Sequence, residues 1–245
     1  DDLSRGLGDV YKRQVEEVLE YIDKTARHEV EFSYDAYPYQ PGSTMLNYLL
    51  PTEIWDQGPL AVLGRLNDPL MRQRFADGLE AQRVPVDKLH VAWVLSEENR
   101  HLLGKTLEEV IEESGRSPAD ALLDLLIEER LATLLVFDEG DDVLIEPLIQ
   151  HELFVLGTDG IFMPEGPVHP RAYGSVGRIL GRLVREKKLL SLEQAIHHFS
   201  GFSARKFGLL DRGEIVEGKA ADVVIFDEAT VTDRATFELS LIHIS

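Results

Sequence analysis

LFVLGTDGIFMPEGPVHPRAYGSVGRIL, residues Leu153–Leu180, places a carboxylate just after a short apolar run. The run Leu153–Leu156 has the length and composition of a buried strand, and Asp159 follows it after a Gly and a Thr. In α/β proteins ligands bind at the carboxyl ends of strands, which makes Asp159 a candidate for chemistry. An Asp beside a Gly also caps turns in loops, and the spacing alone supports both interpretations.

Apolar periodicity predicts alternating strands and helices along the rest of the chain. Strands are predicted at residues 28–32, 88–95, 133–137 and 153–156, and helices at 15–25, 60–66, 68–79, 106–114, 118–131, 142–150, 173–188 and 192–199. Two helices begin with a capping box, Thr106 with Glu109 and Ser191 with Gln194. Strands separated by helices of this size indicate βα units and a parallel sheet.

The predicted strands do not by themselves select one architecture. They are fewer than the eight that close a (β/α)₈ barrel, and an open doubly wound sheet needs no more of them. Residues 213–227 read as strand, glycine turn and strand after a run of helices, which indicates a separate small β unit. Residues 34–44 contain Pro38, Pro41 and Gly42 and are predicted to form a loop at a strand end.

The composition excludes several classes of function. The 245 residues include 44 Asp and Glu against 25 Lys and Arg, a formal charge of -19, which argues against a nucleic-acid or an anionic-membrane partner. There is no cysteine, so disulfides and thiolate metal sites are excluded. No secretory signal or membrane span is recognisable, and cytoplasmic residence is the expectation.

Both ends of the chain read as non-native sequence. Residues 1–14 show no pattern, and residues 239–245 form an apolar tag without a cap or a turn. They resemble translated adapter sequence of the kind attached to metagenomic reading frames. We therefore expect the chain to be a gene fragment and leave both ends out of the fold prediction.

Several motifs, in order over residues 25–238, resemble the D-aminoacylase family, the N-acyl-D-amino-acid deacylases of the amidohydrolase superfamily. The motifs are Asp35-Ala36-Tyr37-Pro38-Tyr39 with Gly42-Ser43-Thr44, Thr158-Asp159-Gly160, His169-Pro170-Arg171 with Tyr173-Gly174, Asp211-Arg212-Gly213, the segment 218–227, and Asp233-Arg234-Ala235-Thr236-Phe237. Gly-x-x-Ala-Asp before an apolar strand marks amidohydrolases in general. The Tyr-Pro-Tyr and His-Pro-Arg motifs together narrow the resemblance to this family.

The resemblance implies an α/β fold, namely the C-terminal part of a metal-bearing (β/α)₈ barrel with strands of a small β-sandwich. Residues 15–205 would form the partial barrel, and residues 206–238 would supply the sandwich strands. In such enzymes zinc is bound through a His-x-His on the first barrel strand and through further ligands on middle strands. None of the eight histidines here forms a His-x-His. The zinc ligands are therefore expected upstream of this chain, which should be inactive alone.

The resemblance also assigns roles to individual residues. Asp159 would be the general acid/base beside the metal, and Arg171 would hold the substrate α-carboxylate, for which a guanidinium fork is suited. Tyr37 and Ser43 would donate hydrogen bonds to the scissile carbonyl or to the carboxylate. Each has a structural alternative: a turn cap for Asp159, a surface ion pair for Arg171, and loop packing for the other two. His169, next to a proline, is expected to be structural.

The sequence thus indicates a zinc-dependent amidohydrolase that removes the acyl group from a small-molecule N-acyl-D-amino acid. Metal-bound hydroxide would attack the amide carbonyl. Two alternatives stay open: hydrolysis of cyclic amides or imides on the same scaffold, and a non-catalytic binding module with an open sheet. By the family resemblance, Arg171 together with Tyr37 favours acyl amino acids over cyclic amides.

Overall fold

The computed structural model describes residues 13–82, 84–137, 144–163 and 165–237. The predicted non-native ends therefore lie outside the described residues, except for Arg13 and Gln14. The chain divides into two compact units. Unit 1 comprises the described residues of 1–40, 140–160 and 170–245, and unit 2 those of 41–139 and 161–169.

Helices and strands of both units are numbered here in chain order. The strands are β1 (Tyr34–Ala36), β2 (Gly42–Met45), β3 (Leu89–Trp93), β4 (Leu134–Phe137) and β5 (Phe154–Leu156). The α-helices are α1 (13–21), α2 (Arg27–Glu29), α3 (Pro59–Arg65), α4 (Pro69–Gln82), α5 (Leu107–Ser114), α6 (Pro118–Glu128), α7 (Glu146–Gln150), α8 (Arg171–Arg178), α9 (Leu192–Phe199) and α10 (Gly201–Lys206). Ile22–Ala26 and Ile179–Glu186 are π-helical, and short 3₁₀ turns lie at Leu46–Leu49, Thr52–Gln57 and Arg100–Leu102.

Unit 1 is built on one pair of parallel strands. β1 pairs with β5, and Tyr34 lies opposite Phe154 and Ala36 opposite Leu156. One face of this pair packs on an apolar core of Ile149, Phe154, Ile179, Leu180, Leu183, Leu190 and Ala195. Parallel strands flanked by helices confirm the predicted α/β class. The closed (β/α)₈ barrel stays a prediction.

The predicted strand at 28–32 is wrong. The N-terminal helix continues through the π-helical residues Ile22–Ala26 to Glu29, and Val30 N still donates to Ala26 O at 3.1 Å. The buried side chains of Ile22 and Ala26 keep this helix against the unit. The strand begins only at Tyr34, where the chain meets β5.

Unit 2 contains an antiparallel sheet in the order β2-β4-β3. The expectation of a single parallel sheet is therefore wrong for the predicted strands 88–95 and 133–137, which pair with opposite directions. The predicted loop 34–44 is also wrong in part, because Gly42–Met45 forms β2 against β4. A Cβ on Gly42 would lie 2.5 Å from Cζ of Phe137, so a side chain there would force that ring to move. The hydrogen bonds from β4 thus make a strand of a segment whose composition is typical of a loop.

The capping signals predicted helix starts correctly. Thr106 Oγ1 accepts the amide of Glu109 at 3.1 Å, and Glu109 closes the capping box on Thr106 N. Ser191 and Gln194 form the same arrangement at α9. Each cap satisfies amides that the first helical turn leaves without partners, which fixes where the helix begins.

A buried carboxylate ends helix α6 in unit 2. Glu129 is fully buried, and it accepts hydrogen bonds from the amides of Leu95 and Ser96, from Ser96 Oγ at 2.5 Å and from Asn99 Nδ2 at 2.7 Å. A negative charge at a helix C-terminus opposes the helix dipole. The hydrogen bonds from the loop after β3 therefore keep this carboxylate in place.

The predicted β-sandwich strands of 206–238 are not seen among the described residues of that range. Residues 213–226 form a turn and extended backbone without ladder partners, with Lys219 N donating to Val216 O at 3.1 Å. The side chains of Ile215, Val224 and Ile225 are exposed. A strand needs a neighbour to satisfy its backbone, and the described residues offer none here. Among the helices described, none combines the length and apolar character required to cross a bilayer.

Three glycines of helix α8 and the following π-helical segment face the C-terminal residues 227–235, which we call the strap. A Cβ on Gly177 would lie 2.7 Å from Thr232 O, and one on Gly181 would lie 2.9 Å from Val231 O. At Gly174 it would overlap Asp233 Oδ1 and the Tyr39 hydroxyl. The backbone of the strap thus lies directly on the backbone of the helix.

Replacing Gly174 by Ala is expected to lower the free energy of unfolding by about 1–3 kcal/mol, because the new methyl group must displace the strap. The control is Gly78→Ala in α4, where a Cβ meets nothing within 4 Å. That change is expected to raise the free energy of unfolding by about 0.5–1 kcal/mol through helix propensity. Urea unfolding followed by circular dichroism measures both, and an unchanged midpoint for Gly174→Ala would contradict the close packing.

Candidate active site

Asp159 lies just past the carboxyl end of β5. The strand ends at Leu156, Gly157 N still donates to Ala36 O at 3.2 Å, and Asp159 then adopts a left-handed backbone with φ 45°. Non-glycine residues take this conformation rarely, and Asp is among those that tolerate it. The turn leaves the Asp159 side chain 62 % exposed. A carboxylate at this position is accessible to a ligand.

Arg171 is the first residue of α8, and its side chain is 1 % exposed. Its Nη2 atom lies 2.7 Å from Asp159 Oδ2, within ion-pair distance. Its guanidinium carbon lies 4.4 Å from the centre of the Tyr37 ring, in cation–π geometry. Three of the predicted site residues therefore form one group in unit 1, which we call the Arg171 cluster.

Ser43 lies in unit 2, on β2. Its hydroxyl donates to Leu135 O on the neighbouring strand at 2.9 Å. His169 is buried in the same unit, and its Nε2 lies 2.8 Å from Pro41 O. The Ser43 hydroxyl thus has a partner within its own sheet, and its role toward a substrate stays a prediction.

Asp35 is a polar residue at this end of the strand pair to which the sequence interpretation gave no role. Its neighbours Tyr34 and Ala36 pack on the core of unit 1, so Asp35 points to the opposite face of β1. A Cβ on Gly157 would overlap Asp35 Oδ2, which places this carboxylate against the backbone that leads to Asp159. The alternation of apolar and charged residues in Tyr-Asp-Ala was the available signal.

The described residues do not form a zinc site by themselves. No three His, Asp or Glu side chains in the part of the chain that the structure describes come together to hold a metal ion. The Asp159 carboxylate pairs with a guanidinium, and His198 Nδ1 lies 2.8 Å from Phe154 O. Burial lowers the pKa of His198, which favours the neutral ring at that backbone contact. The donor set of the described residues does not fit a zinc ion.

Comparison with known proteins places this geometry in context. The family model described as "Amidohydrolase family" matches residues 143–243. An N-acyl-D-glutamate deacylase from Alcaligenes xylosoxydans xylosoxydans is 33 % identical over 220 residues, covering 90 % of this chain and 37 % of the relative. A D-aminoacylase from the same organism is 33 % identical over 213 residues, covering 87 % of this chain and 35 % of the relative.

A solved structure shows the same likeness. The N-acyl-D-glutamate deacylase from Bordetella bronchiseptica, complexed with zinc and a phosphonate inhibitor, superposes with a TM-score of 0.66 at 29 % identity. The match covers 91 % of this chain and 39 % of that structure. This chain therefore spans between a third and two fifths of the length of these relatives.

Proposed function

We propose that this chain, which matches the amidohydrolase family model at residues 143–243 and resembles D-aminoacylases over most of its length, forms part of a metal-dependent hydrolase that cleaves the amide bond of N-acyl-D-amino acids. The observation that carries the proposal is the contact of Arg171 with Asp159 at 2.7 Å. It combines a carboxylate-binding guanidinium with a carboxylate able to carry a proton. Relatives named as N-acyl-D-glutamate deacylase and D-aminoacylase support this substrate class.

Arg171 binds the α-carboxylate of the substrate in this proposal. A guanidinium presents five N–H donors in a planar fork that matches a carboxylate with two parallel hydrogen bonds. Burial of Arg171 and stacking on the ring of Tyr37 fix the plane of that fork. The α-carboxylate is thereby anchored within reach of Asp159, which orients the amide bond for attack.

Asp159 moves the proton. Its exposed carboxylate accepts a proton from the attacking water and then donates it to the nitrogen of the leaving amine, so that one group serves both halves of the hydrolysis. Tyr37 donates from its phenol to the oxygen that gains negative charge when the carbonyl is attacked.

Zinc is the metal that we propose, with ligands from parts of the protein outside this chain. Support comes from the zinc-bound Bordetella enzyme, of which this chain covers 39 %. The 245 residues alone are accordingly expected to release no amino acid from an N-acyl-D-amino acid. Measurable release from the isolated chain would contradict this assignment.

The test is made on the full-length protein that contains this sequence, loaded with zinc and supplied with N-acetyl-D-amino acids. We expect zinc-dependent release of the amino acid, detected by its reaction with o-phthalaldehyde. Absence of release from a folded, zinc-loaded protein would refute the proposal. Preference for a cyclic imide without an α-carboxylate would show instead that the family scaffold serves another reaction.

Replacing Arg171 by Lys is expected to raise KM for an N-acetyl-D-amino acid by about 10- to 100-fold, because an ammonium cannot form the paired hydrogen bonds of a guanidinium. An N-acyl amine without the α-carboxylate should be hydrolysed equally by both forms. Arg212→Lys is the matched control, since Arg212 pairs with Asp222 and Asp211 on the exposed surface. An unchanged KM for Arg171→Lys would remove the carboxylate-binding role.

A further inference from the structure

The loop after β1 and helix α8 meet in two parallel cation–π contacts. In the first, the guanidinium carbon of Arg171 lies 4.4 Å from the centre of the Tyr37 ring. In the second, the guanidinium carbon of Arg178 lies 4.4 Å from the centre of the Tyr39 ring. Tyr37 and Tyr39 are two residues apart on the loop, and the arginines are two helical turns apart on one face of α8. The Tyr39–Arg178 contact therefore repeats the Tyr37–Arg171 contact two helical turns away from the proposed substrate site.

The second contact is fixed by a partly buried carboxylate on the strap. Asp233 Oδ2 accepts the Tyr39 hydroxyl at 2.6 Å and lies 3.6 Å from Arg178 Nη1. Its other oxygen accepts the amide of Ala235 at 2.9 Å, which closes a turn of the strap. The side chains of Asp233 and Arg178 are only 13 % and 14 % exposed. At this low exposure, the hydrogen bonds that the Asp233 carboxylate accepts from Tyr39 and Ala235 are stronger than they would be in water.

Arg178 connects the same group to the backbone of the loop. Its Nε donates to Pro38 O at 2.7 Å, and Pro38 is the residue that links Tyr37 to Tyr39. Gly174, one turn before Arg178, leaves room for Asp233 and the Tyr39 hydroxyl, which a Cβ would displace. Asp233, Tyr39 and Arg178 thus form one set of contacts within unit 1, and the backbone of the loop and of α8 joins this set to Tyr37 and Arg171.

We propose that Asp233 is a positioning residue of the deacylase reaction, and that it acts by holding the Tyr39–Arg178 contact so that Tyr37 and Arg171 keep the spacing that binds the substrate carboxylate. This inference rests on the proposed function. It also assigns a purpose to the Asp-Arg-Ala-Thr-Phe motif at residues 233–237. A purely structural Asp233 would tie down the strap and stabilise the fold without any effect on the Arg171 cluster.

Kinetics of the full-length, zinc-loaded protein separate the two roles. Asp233→Ala is expected to raise KM by about tenfold with kcat changed less than about twofold, because the substrate-binding spacing is lost while Asp159 is retained. Asp233→Asn, which keeps an oxygen to accept the Tyr39 hydroxyl, should recover most of the affinity. Tyr39→Phe is a milder second variant, for the case that Asp233→Ala does not fold, because it removes only the hydroxyl that Asp233 accepts. It should raise KM by about threefold. Unchanged KM in the alanine and phenylalanine variants would overturn the proposal.

A chemical readout on the same full-length proteins does not depend on activity. Phenylglyoxal modifies accessible arginines, and Arg171 is buried. Mass spectrometry of peptides should show faster modification of Arg171 in Asp233→Ala and in Tyr39→Phe than in the parent protein. Asp227→Asn is the matched control. This strap carboxylate accepts hydrogen bonds from Ala229 N at 2.9 Å and from the Thr230 hydroxyl at 3.0 Å, both within the strap itself. Arg171 should be modified at the same rate in Asp227→Asn as in the parent protein.

The two readouts distinguish failure of this inference from failure of the proposed function. If no deacylase activity is found but Arg171 modification accelerates in the variants, the proposed function fails, and what stands is that Asp233 holds Arg171 in place. If activity is present and the variants change neither KM nor the modification rate, the positioning role is refuted and the proposed function stands.

Discussion

Replacing Asp159 by Asn is expected to lower kcat of the full-length, zinc-loaded protein by about 10²- to 10⁴-fold, the range over which a positioned general acid/base contributes. The amide can neither accept the proton of the attacking water nor return one to the leaving amine. Asn tolerates the left-handed backbone at this position as Asp does, so the change preserves the turn after β5. A steady-state assay of amino-acid release measures the effect.

The control for Asp159→Asn is Asp222→Asn, a carboxylate 70 % exposed in an ion pair with Arg212 in the same unit. It is expected to leave kcat within about twofold of the parent, in line with the small worth of exposed ion pairs. Retention of most of kcat in Asp159→Asn, with zinc bound, would mean that another group moves the proton.

Replacing Glu129 by Ala is expected to lower the free energy of unfolding of unit 2 by about 2–4 kcal/mol, because the amides of Leu95 and Ser96 and the Asn99 side chain lose a buried acceptor. Both tryptophans of the chain, Trp55 and Trp93, lie in unit 2. Urea unfolding followed by tryptophan fluorescence therefore reports on this unit.

Glu128→Ala is the matched control for Glu129→Ala. The Glu128 side chain is exposed and accepts one hydrogen bond from Asn99 at 3.1 Å, so its loss should change the free energy of unfolding by less than about 0.5 kcal/mol. Equal urea midpoints for the two variants would show that the buried carboxylate does not hold the loop after β3.

The pH dependence of unit 2 follows from the same carboxylate. Burial alone would raise the pKa of Glu129, but the hydrogen bonds from Ser96, Asn99 and the amide of Leu95 outweigh it and lower the pKa below its ordinary value. A depressed pKa in the folded state contributes stability above the unfolded pKa of about 4.3, and this stability is lost as the pH falls through the folded pKa. Glu129→Gln should therefore lose less stability than the parent between neutral pH and acid.

Local chemistry allowed the helices and the buried strands to be predicted from the sequence. The capping boxes at Thr106 and Ser191 act within one helical turn, so their effect is readable from four residues. Strand direction depends on partners far along the chain, and the antiparallel pairing of β3 with β4 left no local signal. β2 was missed because a Gly-Ser-Thr segment becomes a strand only when β4 supplies hydrogen bonds.

The candidate site was predictable to a similar extent. Resemblance of motifs identified Asp159, Arg171 and Tyr37, which the structure brings into contact. The sequence also contained the motif that begins at Asp233, but its contact with Tyr39 joins residues from opposite ends of the chain. Only the folded structure brings such residues together, and no periodicity in either segment predicts the pair.

The topology of the strands has a consequence for the order in which this chain folds. β1 and β5 pair side by side, yet all of residues 37–153 lie between them, and closing so long a loop carries a large entropic cost. Within that loop Gly42 pairs directly with Phe137, at one end of the β2–β4 ladder. Once this ladder forms, only the short stretches 37–41 and 138–153 still separate the two parallel strands. The antiparallel sheet thus shortens the search for the parallel one, and we expect the β2-β4-β3 sheet to form before the β1–β5 pair.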